Sequence, residues 1–314
     1  MKKTFALILV VAMMLVSLTA CGSSSLTFTT GSETGTYYGF GTVRAGQISE
    51  DTATEVKAIV GKGSKANIEL MDLGDAQMGL VQSDVMAYAY SGTNLFEKAI
   101  GSFSTVAALY MEQVQIVTLD PTIKSVADLK GKTVSVGESG SGVYFNAIDV
   151  LAAYDLTLDD INPTYQSFGD STEALQDGKI DAGFIVSGAP TTAVTSLATN
   201  RDVYLVELDD EHIAKLQEAS PYYSKNVIPA AAYGLDADAT TVAVGAVVIA
   251  NDDVAEADVY NFVSGIYENL ETITTSHAKG AELSLEFASS VTDVPYHAGA
   301  AKYFAEKGIT VPTK

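Results

Sequence analysis

Hydroxyl and glycine residues gather at four places in this chain, each where a β-branched or apolar run gives way to a helix-periodic one. The stretches are TTGSETGTYYGFG (29–41), GLVQSDVMAY (79–88), VSVGESGSGVYFNA (134–147) and FIVSGAPTTAV (184–194). A strand that ends in small polar residues before a helix leaves unpaired N–H groups and partial positive charge at the helix start. That arrangement receives carboxylates and phosphates. It also carries serine nucleophiles, so the chemistry of each corner has to be argued from its residues.

In the first corner, Gly31, Ser32, Thr34, Thr36 and the adjacent Tyr37 and Tyr38 supply hydroxyls and free amides; the competing reading is that they only turn and cap the helix. In the second, Gln82, Ser83 and Asp84 follow a strand directly, at the end of a sheet where open α/β folds bind ligands; the alternative is Ser83 or Asp84 as an N-cap. The third reads Gly137-Glu138-Ser139-Gly140-Ser141, which lacks the final glycine of a nucleophile elbow. A serine nucleophile also needs a histidine base, and His212, His277 and His297 all fall outside these corners. Neither a Walker A pattern nor Gly-x-Gly-x-x-Gly is present. What remains is a hydroxyl- and glycine-rich helix start. The fourth corner repeats that chemistry at Ser187 and Gly188, with Pro190 expected in the first helical turn.

Arg44 and Arg201 are the only arginines and neither lies in a corner, so a bidentate guanidinium clamp on a carboxylate is not expected. The three scattered histidines suit no zinc site, no Asp-x-Asp-x-Asp loop points to calcium, and no cofactor motif is present. His297 reads as a residue that caps or packs a helix start.

Alternating elements must position these corners. Strands are expected at 26–30, 55–60, 78–82, 133–136, 182–186, 203–208 and 240–250, and 104–119 reads as two strands broken near Glu112. Helices are expected at 36–49, 65–73, after Gln82, at 126–129, 143–154, 171–177, 191–199, 210–219, 255–276, 279–288 and 299–307. Strands alternating with helices predict an α/β fold with largely parallel sheets. Two long apolar β-rich segments bracket the middle third. Residues 26–117 plus 240–314 then form one lobe and 118–239 an inserted second lobe, an organisation suited to hinge closure on a ligand.

Ahead of this lies a leader. Lys2 and Lys3 precede an apolar run from Phe5 to Val16, too short to span a membrane, which predicts a signal peptide over residues 1–20. Leu18-Thr19-Ala20-Cys21 resembles the lipobox of bacterial lipoproteins, and Cys21 is the only cysteine. It is therefore the expected lipidation site, with 21–25 a tether and the membrane touched only through the lipid. A single cysteine also excludes an intramolecular disulfide. Removing residues 1–20 leaves 16 basic side chains against 39 acidic, a formal charge of −23, which argues against nucleic acid as a partner.

Several longer motifs resemble one family. They include TTGSETGTYYGFG (29–41), DAQMGLVQSDVMAYAYSG (75–92), ALYMEQVQIV (108–117) and SVADLKGKTVSVGESGSG (125–142). ALQDGKIDAGFIVSGAP (174–190), SPYYSKNVIPAAAYG (220–234) and PYHAGAAKYFAEKG (295–308) continue in order. Together they resemble the TAXI family, the extracytoplasmic solute receptors of one class of TRAP transporters. The resemblance implies a type II periplasmic-binding-protein fold, two α/β lobes joined by two crossing hinge strands with the ligand cleft between them. It implies no enzyme activity. The expected role is a monomeric receptor on the outer face of a bacterial cytoplasmic membrane. It would bind a small organic acid, of the glutamate or 2-oxoglutarate-like dicarboxylate class, and deliver it to TRAP membrane subunits. Carried over by position, the ligand contacts would be Gly31, Ser32, Thr36, Tyr37, Gln82, Ser83, Gln115, Ser139, Gly140, Ser141, Gly142, Ser187 and Gly188. Gln113 stands where many relatives carry proline. The alternatives are a ligand-binding surface lipoprotein that serves sensing and, on Gly-Glu-Ser-Gly-Ser alone, a serine hydrolase.

Overall fold

A computed structural model describes residues 25–314; the expected leader, Cys21 and most of the tether lie outside the described residues. The chain begins β1 (Ser25–Thr29), α1 (Thr36–Asp51), β2 (Glu55–Ile59), α2 (Ser64–Asp72), β3 (Met78–Gln82) and α3 (Ser83–Ser91). A 16-residue strand, β4 (Phe103–Thr118), leads into β5 (Thr133–Ser135), α4 (Gly142–Ala153), β6 (Asn162–Thr164), α5 (Phe168–Gln176) and β7 (Ala182–Ser187). Then come α6 (Thr192–Ala198), β8 (Tyr204–Leu205), α7 (Asp210–Ala219), β9 (Ser224–Ile228) and β10 (Ala239–Asn251). Helices α8 (Glu256–Tyr267), α9 (Leu270–Ser276), α10 (Leu285–Ala288) and α11 (Ala298–Glu306) close it.

The strands run in the order β2-β1-β3-β10-β4-β7-β5-β6, with β9 added to β10 and β8 to β4. β4 and β10 pair antiparallel from Phe103↔Asn251 to Gln113↔Ala243. Each serves two neighbourhoods. β10 pairs with β3 through 246–250 and with β9 through 239–243, while β4 pairs with β7 through 113–118. These two strands therefore carry the chain between the halves. Their residues are buried on both faces and read as nearly continuous apolar runs, the pattern of strands covered on two sides.

Each half has its own core. One is built on Phe28, Phe40, Ile48, Phe262, Tyr303 and Phe304, the other on Ile116, Val134, Leu151, Phe184, Leu208 and Leu216. In α1 the buried Tyr37, Phe40, Ala45 and Ile48 recur at three- to five-residue steps, so one face packs inward. Phe145 of α4 is the exception to this separation. It enters a cluster formed by the other half, stacking 6.2 Å from Tyr88 and lying 6.0 Å from Phe96.

Several expected boundaries are corrected. β4 is one strand across Glu112, because that carboxyl finds a hydroxyl partner inside and does not have to leave the apolar run. Of the expected strand at 203–208, Tyr204–Leu205 pairs with β4 and Glu207 makes an isolated parallel bridge to Ser125. The helix expected at 255–276 divides at Asn269, whose φ of −120° and ψ of 27° are not helical. Pro190 precedes the N-cap Thr191 and follows a cis peptide bond, so it lies outside α6. Gln82, not Ser83 or Asp84, occupies the N-cap of α3. β6 and β9 correspond to no expected strand: β6 holds Pro163 at a sheet edge, and β9 alternates half-buried Ser224 and Asn226 with exposed Lys225 and Val227, so neither shows an apolar alternation.

Candidate functional site

Five helix N-termini converge on one cavity between the halves. Gly35, Gly63 and Gln82 are the N-caps of α1, α2 and α3 from one half; Ser141 and Ser167 are those of α4 and α5 from the other; all five line it. Each brings free amides and the positive end of a helix dipole. The volume is ≈ 50 Å³. At roughly 10–15 Å³ per water centre that is room for about four waters, the space of a small organic acid. A groove of ≈ 600 Å³ beside Pro190 and Asn226 is larger but broad and open to solvent.

The two halves are latched around this cavity. Thr36 Oγ1 donates to the Gly188 carbonyl (2.8 Å), the Thr36 amide to Ser187 Oγ (3.2 Å), and Ser187 Oγ to Thr36 Oγ1 (3.0 Å). The Ala193 amide donates to Thr34 O (3.1 Å) and the Ala66 amide to Gly140 O (3.0 Å). Gly142 packs so closely on Gln82 that a Cβ there would lie 1.8 Å from Gln82 Oε1. Gly63, at a φ of 99°, sits against Ser141 in a backbone conformation that favours glycine.

At the floor, where β4 passes from one half to the other, Glu112 is 2% exposed and accepts the Tyr37 hydroxyl on Oε2. Burial pushes its carboxyl up to about 8; the Tyr37 hydrogen bond opposes that, Asp84 adds to it, and Lys279 opposes it. Tyr37 is itself raised well above its ordinary value by burial and then by Glu112. Near the mouth, burial raises the Glu138 carboxyl while Lys62 pulls it down. The site thus combines donors from five helix starts with a buried acid among hydroxyls.

Of the residues expected to contact ligand, Gly31, Ser32, Tyr37, Gln82, Ser141, Gly142 and Ser187 line the cavity. The other six do not, for physical reasons. Thr36 and Gly188 are bonded to each other in the latch. Ser83 Oγ turns away to accept the Gly245 amide at 3.0 Å. Gln115 lies one layer behind, donating to Ser187 O (3.0 Å) and Thr191 Oγ1 (3.1 Å) and accepting Tyr233's hydroxyl. Ser139 is exposed, and Gly140 contributes its carbonyl to the Ala66 amide.

The histidines serve locally. His297 Nδ1 caps α11 through the Gly299 amide, His277 Nδ1 accepts from the Lys279 amide, and His212 pairs with Asp209. None lines the cavity, so Ser139 has no base there. Three contributions were missed: Glu112, the Lys62-Gly63-Ser64 corner and the Gln166-Ser167-Phe168 corner. Lys62-Gly63-Ser64 has the same strand–small residue–helix chemistry as the four corners and was legible. Ser167, whose Oγ accepts from the Asp170 amide at 3.2 Å, is the Ser of a Ser-x-x-Asp helix start. Glu112 had only its isolation in an apolar run to mark it.

Comparison with known proteins agrees with this architecture. Residues 28–308 match the NMT1-like family. The alkanesulfonate-binding protein SsuA of Xanthomonas axonopodis pv. citri, solved bound to MOPS, superposes with a TM-score of 0.52 at 15% identity, covering 92% of each chain. A structure from Bordetella bronchiseptica RB50 gives 0.54 at 17% identity over 90% of this chain and 88% of that one. The GluR0 ligand-binding core in complex with L-glutamate gives 0.50 at 10% identity over 84% and 100%. The fold is that of type II periplasmic binding proteins, two α/β lobes joined by two crossing strands with a cleft between.

Proposed function

Because the chain belongs to the NMT1-like family and encloses a small cavity between two lobes, we propose that it is an extracytoplasmic solute-binding receptor, not an enzyme. Its ligand is a small organic acid of the glutamate or 2-oxoglutarate-like dicarboxylate class. The observation that carries this reading is the convergence of five helix N-termini, three from one lobe and two from the other, on a space of ≈ 50 Å³. An anion held there gains contacts from both lobes only when they close, so binding shifts the hinge toward the closed form. The GluR0 core was solved with L-glutamate and SsuA is an alkanesulfonate-binding protein, which supports an acidic ligand. The net negative charge opposes an anion at long range, but a Debye length of about 8 Å at physiological salt leaves the local donors dominant.

The TAXI-like motifs support delivery to TRAP membrane subunits. The same reading has residues 1–20 removed, Cys21 lipidated on the outer face of the cytoplasmic membrane, and a monomer acting there. Residues 26–117 plus 240–314 then move against 118–239 about β4 and β10. The ligand meets Gly31, Ser32, Tyr37, Gln82, Ser141, Gly142 and Ser187.

Native mass spectrometry of freshly purified protein should show a stoichiometric small-acid adduct. In a thermal-shift panel of amino, oxo and dicarboxylic acids, a ligand at 100 times its Kd adds about 2.7 kcal/mol of stability. No binder across that panel would overturn the receptor reading.

A further inference from the structure

A hydrogen-bond relay across the closing lobes fixes the polarity of the cavity. It begins at Tyr223, whose hydroxyl donates to Asp149 Oδ2 at 2.8 Å and so can only accept from Asn146 Nδ2, at 2.9 Å. The other Nδ2 hydrogen goes to Asp84 Oδ2, also at 2.9 Å. With both hydrogens of that amide committed, Asn146 turns its carbonyl to Gln82, and Gln82 Nε2 donates to Asn146 Oδ1 at 3.0 Å. The Gln82 amide therefore has one orientation. Its Oε1 is left buried against Gly142 with no hydrogen-bond partner, on a residue that is 2% exposed and lines the cavity. A buried acceptor without a donor costs about 1–3 kcal/mol, so it points to a donor that arrives with the ligand.

Glu112 lines the same space. One carboxyl oxygen takes Tyr37's hydroxyl, and among the described residues no arginine, lysine or histidine hydrogen-bonds to either oxygen. On the receptor reading above, which this rests on, we infer that Gln82 Oε1 and Glu112 form a subsite for a ligand ammonium group, so that the receptor selects amino acids over their 2-oxo counterparts. The ligand's carboxylate takes the amides of the helix starts, and its nitrogen, an N–H donor in every direction, faces Gln82 Oε1 and a Glu112 carboxyl that gives up its proton as the cation arrives. A 2-oxo group has no hydrogen to give, so it leaves Gln82 Oε1 without a donor and brings no charge to draw the proton from Glu112. Asp84 and Asn146 touch no ligand; they are positioning residues that hold the Gln82 amide the right way round.

Calorimetric titration with matched pairs, L-glutamate with 2-oxoglutarate and L-alanine with pyruvate, tests this directly. At least one amino acid should bind tenfold or more tightly than its oxo acid. Glu112→Gln, isosteric and uncharged, should lower that ratio at least tenfold, and Asn146→Ala should lower it too by freeing the Gln82 amide to rotate. Asp84→Asn should keep the ratio, because its amide oxygen still accepts from Asn146. An oxo acid that binds as well as its amino acid, or a ratio unmoved by Glu112→Gln, overturns the subsite and leaves the receptor standing. If no acid of either kind binds, both readings fall.

Discussion

Replacing Gly142 by alanine should hold the lobes apart while leaving each one folded. A Cβ at this position would lie 1.8 Å from Gln82 Oε1, 2.4 Å from its Cδ and 2.8 Å from Ser64 Oγ, all on the opposite lobe. Gln82 is not a loose surface side chain that can step aside, since it is buried and tied to Asn146 at 3.0 Å. Moving it forfeits that bond, about 0.5–1.5 kcal/mol, and strands the Asn146 carbonyl at about 1–3 kcal/mol. The closed form should therefore lose ~2–4 kcal/mol relative to the open one, and apparent ligand affinity should fall roughly 30- to 1,000-fold. Gly142 begins α4 with no positive φ, so alanine suits the helix itself. Calorimetry should show the lost affinity and small-angle scattering a larger radius with the acid present. The ligand-free melting transition should remain cooperative. Gly46→Ala, where a Cβ meets nothing within 4 Å, is the matched control and should bind normally. Wild-type affinity in Gly142→Ala would refute both the closed geometry and the Gln82 relay.

Thr36→Val removes the hydroxyl that bridges to Gly188 O at 2.8 Å, and should weaken binding by about 2- to 10-fold through a latch worth roughly 0.5–1.5 kcal/mol, read by titration. Ser83→Ala, whose hydroxyl serves the Gly245 amide, should lower Tm by a few degrees and leave Kd unchanged; a Kd rise would return Ser83 to the site. Asp84 is raised to about 7, chiefly by burial, against about 3.9 in an unfolded chain. The stability of its neutral form is therefore full below about pH 4 and lost as pH rises toward 7. Relative to Asp84→Asn, wild-type Tm should fall across that window and level off above it; parallel profiles would sink the assignment.

How much of the fold was legible follows from the range of the interactions involved. Most elements stood out because a strand's apolar run or a helix's apolar face is written within the segment itself, as in β10 and α1. The misreadings fell where distant contacts overrode a local signal. Glu112 looked like a strand break until Tyr37, 75 residues away, took its carboxyl. The helix at 255–276 looked continuous until Asn269 turned out of it.

The site divides in the same way. Glycine and hydroxyl residues before a helix prescribe a helix N-terminus rich in donors, and that chemistry is local. Which of those termini face one another is not local. The sheet order places β10, the last strand, between β3 and β4, and so brings α1, α2 and α3 from one lobe opposite α4 and α5 from the other. Thr36 and Gly188 therefore close the cleft instead of lining it, and Gln115 braces Ser187 from behind. The sequence alone determined that this chain would present several anion-ready helix starts on an α/β scaffold. Only the tertiary structure decided which of them share a cavity and that Gln82 meets it as an acceptor, because both depend on pairings between residues more than 60 positions apart.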